Sequence, residues 1–135
     1  MGHGFPYDVH AYLEAAPLLA KSGARVIVPY LRGYGPTRFL SQDTVRSGEQ
    51  AALGADLKAL MDALRIESAV LGGYDWGGRA ACIVAALWPE RVKALCLRIP
   101  TTSKTSRDHW SLLRLLKSRR SGISTIFIPS ADGVL

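Results

Sequence analysis

The five residues Gly73-Tyr74-Asp75-Trp76-Gly77 constrain this chain more than any other stretch. Before them runs Ser68-Ala69-Val70-Leu71, a short apolar segment of strand length; after them, residues 80–87 read Ala-Ala-Cys-Ile-Val-Ala-Ala-Leu and favour a helix. Glycine two positions before and two positions after a central residue is the spacing of a strand-to-helix elbow. There the central residue sits on a strained turn and its side chain projects clear of the sheet edge. The glycines are needed because a Cβ at either position would collide with neighbouring backbone. The chain is thus committed to a strand that passes at once into a helix, with a carboxylate at the apex.

The rest of the first hundred residues repeats that alternation. Residues 3–6, His-Gly-Phe-Pro, read as a loop; residues 12–21 as a helix stopped by Ser22-Gly23; residues 24–29, Ala-Arg-Val-Ile-Val-Pro, as a strand nearly continuous in apolar residues, as a buried parallel strand is. A loop rich in Gly, Pro and Arg covers residues 31–42. Residues 48–64 form a helix on which Ala52, Leu53, Leu57, Leu60, Met61 and Leu64 recur at three and four. Strand 68–72, helix 78–88 and strand 92–97 complete the series. Strand–helix alternation predicts an α/β fold with a parallel sheet covered by helices. In such sheets the site lies at the carboxyl ends of the strands, where Asp75 stands.

Size and charge narrow the classes. At 135 residues the chain is one domain or part of one. It has no apolar run near the roughly 20 residues of a membrane span, and no charged start followed by an apolar core. Cys82 and Cys96 read as buried thiols, with no metal spacing, so the expected compartment is the cytoplasm. Residues 1–96 hold 10 Lys and Arg against 9 Asp and Glu; residues 97–135 hold 7 against 2. The basicity therefore belongs to the tail. A basic tail can bind nucleic acid, yet this one carries no binding motif, and a solvated end is the plainer reading. The expected partner is a small-molecule substrate, with no nucleic acid, no membrane, no cofactor and no metal; the oligomeric state stays open.

His3-Gly4-Phe5-Pro6, Arg32-Gly33-Tyr34-Gly35 and Gly73-Tyr74-Asp75-Trp76-Gly77-Gly78, in this order and spacing, resemble the α/β-hydrolase superfamily. Trp88-Pro89-Glu90-Arg91-Val92 is similar to that family's link from the elbow helix to the next strand. An aspartate followed by Trp, with the His-Gly-Phe-Pro loop, resembles the epoxide hydrolase and haloalkane dehalogenase branch. The resemblance covers residues 3 to about 96. It implies that Asp75 is a nucleophile, that Phe5 and Trp76 supply the backbone N–H groups of an oxyanion hole, and that His3, Gly4 and Pro6 shape the loop while Gly73 and Gly77 form the elbow. A carboxylate suits displacement at a saturated carbon, leaving an alkyl-enzyme ester. Water activated by a histidine then cleaves that ester. The competing use of Asp75 is a helix N-cap.

Other residues have plainer readings. His10 and His109 match no motif and are expected at the surface. Arg32 is expected to anchor a loop, and the Trp76 indole either packs or holds a leaving anion. Tyr74 departs from the histidine often found before this nucleophile. The resemblance also implies a later acid and histidine, in the order nucleophile, acid, histidine, and a lid. The only histidine after Asp75 is His109.

The expectation is therefore a partial α/β-hydrolase fold, a parallel sheet with flanking helices, with the lid and C-terminal part absent. Residues 1–97 would form the N-terminal part of the core and residues 98–135 an atypical basic tail. One account of the tail is a shifted reading frame: codons for residues 121–127 can be chosen so that the adjacent frame reads Trp-Tyr-Gln-Tyr-Tyr-Phe, similar to an aromatic lid segment of some family members. The other is a lineage-specific tail with one amphipathic helix over residues 110–117. For function, an epoxide hydrolase-like enzyme that is inactive as this chain alone stands beside a non-catalytic small-molecule-binding module that keeps the fold.

Overall fold

The computed structural model describes residues 1–99 and 124–129. A 3-10 turn at Val9–Tyr12 leads into α1 (Ala15–Lys21), followed by α2 (Gln50–Ala63), β1 (Ala69–Tyr74), α3 (Asp75–Leu87), a second 3-10 turn (Pro89–Arg91), β2 (Val92–Ile99) and β3 (Ser124–Pro129). The three strands form one parallel sheet in the order β1-β2-β3, with Leu71 opposite Leu95 and Tyr74 opposite Arg98.

The helix expected over residues 12–21 begins three residues later. Pro17 explains this: a proline ring fits the first turn of a helix but clashes with the carbonyl four residues back, so the helix cannot run unbroken through Leu13. Helix α2 keeps its expected face, with Leu53, Gly54 and Met61 buried. It ends where Arg65 takes a left-handed conformation, φ 54°, and Ile66 N–H donates back to the Met61 carbonyl at 2.8 Å. Gly54 lets α2 approach α3 closely, for a Cβ there would stand 2.7 Å from Ile83 Cβ. Arg91 ties the end of α2 to the start of β2. Its Nε donates to the Glu67 carbonyl at 2.6 Å, and a terminal nitrogen pairs with Asp62 at 2.8 Å.

The core lies between α3 and the sheet. Cys82, Val84 and Ala85 on the helix meet Leu71, Val92, Leu95 and Leu97 on the strands, with Met61 closing one side. Both cysteines are free; burial pushes the Cys82 thiol up to about 12. Among the described residues no helix is long and apolar enough to cross a membrane.

The sheet differs from the expectation in its third member. Residues 24–29 are not a strand: they run without a ladder on either side, touched by the Met1 amino group, which donates to the Ile27 carbonyl at 2.6 Å. An apolar, β-branched run is a strand only if a neighbour offers a row of backbone groups. Here the contact is a single bond from the first residue of the chain, not a row. The third strand is instead β3, within the segment read as tail. The neighbouring edge of β1 is met by a single residue among those described, Gly2, bridged in parallel to Gly73. The helix expected over residues 110–117 lies outside the described residues.

Candidate active site

The site is a corner where the first residues of the chain lie against the elbow. Gly2 N–H donates to the Gly72 carbonyl at 2.8 Å, Tyr74 N–H donates to the Gly2 carbonyl at 3.3 Å, and Gly77 N–H donates to the His3 carbonyl at 2.9 Å. These bonds bring two backbones almost into contact. A Cβ on Gly77 would fall inside the Gly2 backbone; one on Gly73 would stand 2.7 Å from the Gly77 carbonyl carbon; one on Gly4 would stand 2.6 Å from Asp75 Cβ. Glycine is required here by close approach rather than by dihedral freedom.

At the apex Asp75 is the first residue of α3, directly after β1, with φ 47°. A non-glycine residue held left-handed costs about 1–2 kcal/mol, and only over-determined surroundings sustain it. The surroundings are the three backbone bonds just described. The turn is tighter than the sequence suggested, since the helix starts at Asp75 and not at Gly78. Phe5 N–H donates to Asp75 Oδ2 at 3.1 Å, while the Phe5 ring stands exposed. Trp76 is next in the helix, and its N–H is among the first-turn amides that no helical carbonyl can satisfy.

His3 is fully buried. Its Nε2 accepts from Leu31 N–H at 3.0 Å, which puts the ring proton on Nδ1, facing the Gly4 carbonyl at 3.5 Å. Tyr34 packs edge-on against the ring, centroids 4.7 Å apart. Both nitrogens are engaged within the loop, so this histidine holds the corner together. Gly4 lies over Asp75, and Pro6 follows Phe5 through a cis peptide bond. Two tyrosines support the loop. Tyr12 donates its hydroxyl to the Gly2 carbonyl at 2.7 Å, and burial pushes that phenol well above its usual range. Tyr74 packs its ring against Gly4, and burial raises it too. The Gly4 backbone opposes that rise, yet among the described residues the buried Tyr74 hydroxyl has no hydrogen-bond partner.

Arg32 anchors residues 29–47 to α2. Its guanidinium makes two bonds of 2.6 Å to Asp56 and donates to the Ser47 and Ala52 carbonyls. That hydrogen-bonded carboxylate holds the arginine further above its ordinary range. A cavity of about 540 Å³ lies between this arm and α2, walled by Pro29, Leu31, Phe39, Leu53, Leu57 and Leu60 among others; Asp75 is not in its walls. His10 is exposed and bonded to Asp8 at 2.7 Å, away from Asp75's partners. His109 lies outside the described residues.

A family model described as the alpha/beta hydrolase fold matches residues 1–118. This chain belongs to the α/β-hydrolase fold family. Within that family it falls in the epoxide hydrolase-like branch. It is 37% identical over 113 residues to an epoxide hydrolase of Caballeronia sordidicola, covering 83% of this chain and 34% of that protein. It is 33% identical over 101 residues to epoxide hydrolase A of Mycobacterium tuberculosis, covering 74% of this chain and 31% of that protein. Among solved structures, a Klebsiella pneumoniae protein with a proposed epoxide hydrolase assignment is 60% identical with a TM-score of 0.71, over 72% of this chain and 32% of its own. Epoxide hydrolase A of Mycobacterium thermoresistibile aligns with a TM-score of 0.65 at 28% identity, over 83% and 36%. The α/β-hydrolase chain described here thus spans about a third of the length of these relatives.

Three residues of this α/β-hydrolase corner were missed in the sequence. Gly2 is a backbone partner whose need appears only once Gly77 is seen against it. Tyr12 read as part of a helix. Arg79 read only as part of the elbow helix, yet its guanidinium lies over the Trp76 ring, 4.8 Å from the centroid, and its Nε is buried without a hydrogen-bond partner among the described residues.

Proposed function

We propose that Asp75 is the nucleophile of an epoxide hydrolase-like reaction and that this chain alone performs its first half only. The observation that supports the reading is the Phe5 N–H bond to the Asp75 carboxylate, on an aspartate held at φ 47° between a strand and a helix. A carboxylate oxygen attacks a ring carbon of the epoxide, the C–O bond opens, and the substrate is held as an aspartyl ester. Hydrolysis of that ester builds negative charge on the Asp75 carbonyl oxygen. The Phe5 N–H, and with it the Trp76 N–H, are the donors for that charge, each worth about 3–4 kcal/mol in comparable sites.

The second half needs water activated by a base, typically worth about 10² to 10⁴ in rate. His3 is engaged within the loop and His10 with Asp8, so neither fits that role. Residues 1–97 act here as the N-terminal part of a hydrolase core, and residues 98–135 as an atypical basic tail that nonetheless returns one strand, β3, to the sheet. The free thiols Cys82 and Cys96 suit a cytoplasmic location.

Incubation with styrene oxide tests the reading by peptide mass. One adduct is expected on the elbow peptide, absent in Asp75→Asn, with no accumulation of diol. Turnover that survives His109→Ala and vanishes in Asp75→Asn would show a base elsewhere in the chain. Absence of any adduct, with retained binding of the diol, would favour the non-catalytic binding module instead.

A further inference from the structure

The cavity between the arm and α2 takes no part in the corner chemistry, since Asp75 is not in its walls. Its volume of about 540 Å³ falls within the range of small-molecule sites, about 300–1,000 Å³. The walls are mostly apolar: Leu31 and Phe39 of the arm are joined there by Leu53, Leu57 and Leu60 of α2. Arg32 fixes the arm to Asp56 and to the Ser47 and Ala52 carbonyls, which holds these walls at their separation. Leu40 belongs to the same wall and is fully exposed. A large apolar side chain left in water at the mouth of an apolar cavity gains by closing on an apolar guest.

The polar groups of the wall decide which guest. Asp56 has both oxygens taken by Arg32, each at 2.6 Å, so that pair adds no net charge. Thr37 spends its hydroxyl on the Tyr30 carbonyl. Arg38 is different: among the described residues it makes no hydrogen bond or ion pair. Arg46 adds a second charge nearby, over the Phe39 ring at 5.8 Å, with only the neutral Gln42 as its bonded partner. Residues 29–47 hold three arginines against one acid, Asp43. An apolar cavity thus carries an excess of positive charge on its arm side.

We propose that this cavity binds a linear alkyl chain ending in a carboxylate, with the chain against the α2 leucines and the carboxylate on Arg38. A guanidinium offers a carboxylate two parallel N–H donors. Arg38, Phe39 and Leu40 are consecutive, so one short piece of the arm meets both the head and the chain. The site is separate from Asp75 and stands whether or not Asp75 is a nucleophile.

Octanoate and 1-octanol share a chain and differ in charge, so calorimetric titration of the full chain with each tests both parts. Both should bind saturably, octanoate about threefold more tightly, a ratio that an exposed ion pair supports. Arg38→Gln should equalise the two and leave the octanol affinity unchanged. Ala59 is exposed on α2 and lines the cavity, so Ala59→Trp fills it from outside the core. That variant should lose both ligands while keeping its helical circular dichroism. In resonance spectra octanoate should shift Phe39, Leu57 and Leu60. Shifts on Phe5 and Trp76 instead would place it in the corner and overturn the site. Lack of saturable binding overturns it as well, and equal affinities in the unaltered chain overturn the carboxylate on Arg38.

Discussion

The corner formed by residues 2–5 and 73–78 and the arm formed by residues 24–47 were both marked by glycine-containing motifs, and they use glycine differently: glycines with positive φ occur only in the arm's motif. In the corner every glycine is pressed against something: Gly2 against Gly77, Gly4 against Asp75, Gly73 against Gly77. In the arm Gly33 takes φ 81° with nothing near its missing side chain and Gly48 just past it is equally open, while Gly35, at φ 49°, lies against the Tyr30 ring. The corner is held by backbone bonds between distant parts of the chain. The arm is held largely through side chains: Arg32 on α2, and His3, whose Nε2 accepts from Leu31 N–H, with the Met1 amino group on the Ile27 carbonyl. A motif whose glycines answer steric contact defines geometry to a fraction of an ångström; a motif whose glycines answer dihedral freedom only permits a turn.

The largest expected effect breaks the corner. Gly77→Ala must displace the Gly2 backbone and should destabilise by about 1–3 kcal/mol, the range for overpacking a tight interior. Gly48→Ala, in open space, should change stability by less than about 1 kcal/mol, in the stabilising direction. Urea unfolding midpoints compare the two, and equal effects would erase the distinction drawn above. An intermediate effect is expected in the arm. Arg32→Lys keeps the charge but loses the paired bonds to Asp56 and at least one carbonyl contact. Asp56 is half exposed, so solvent screening limits the loss to about 1 kcal/mol. Protease cleavage within residues 33–47 should rise well before the elbow peptide becomes accessible.

The smallest effect is acid-dependent and concerns α2, to which the arm is fastened. Asp62 is held below its ordinary value of 3.8, first by Lys58 and then by Arg91. A carboxyl lowered in the folded state contributes stability that is complete above the unfolded value and lost as pH falls through the folded one. Stability should therefore decline below about pH 4, and Asp62→Asn should flatten that decline. A curve unchanged by Asp62→Asn would mean that the pair is too well solvated to matter.

The same contrast explains what could be read from the residues. The elbow was legible because its demands are local: two glycines, an apolar run before and an alanine-rich run after. The partner of Asp75 was legible only through the resemblance of the His-Gly-Phe-Pro loop, since nothing in local spacing brings residue 5 to residue 75. Residues 24–29 carried a strand's composition and still failed to pair, because pairing depends on a neighbour that composition does not describe. Residues 124–129 carried a signal of their own, Ile126-Phe127-Ile128 between Ser-Thr and Pro. Nothing around it marks it as part of the sheet, because residues 98–135 are set apart by their basic charge. Arg79 offered no signal, for its place over the Trp76 ring and its buried Nε exist only in the folded chain.

The open side of β1 has a colloidal consequence. Among the described residues Gly2 alone meets the outer edge of β1, at the end nearest the elbow, and Val70 further along the strand is 61% exposed. Such an edge is a template on which any extended apolar segment can add a rung, including one from another copy. Sheet growth between copies before unfolding is the expected behaviour at high concentration, and light scattering that climbs with concentration while the helical signal stays constant is its signature.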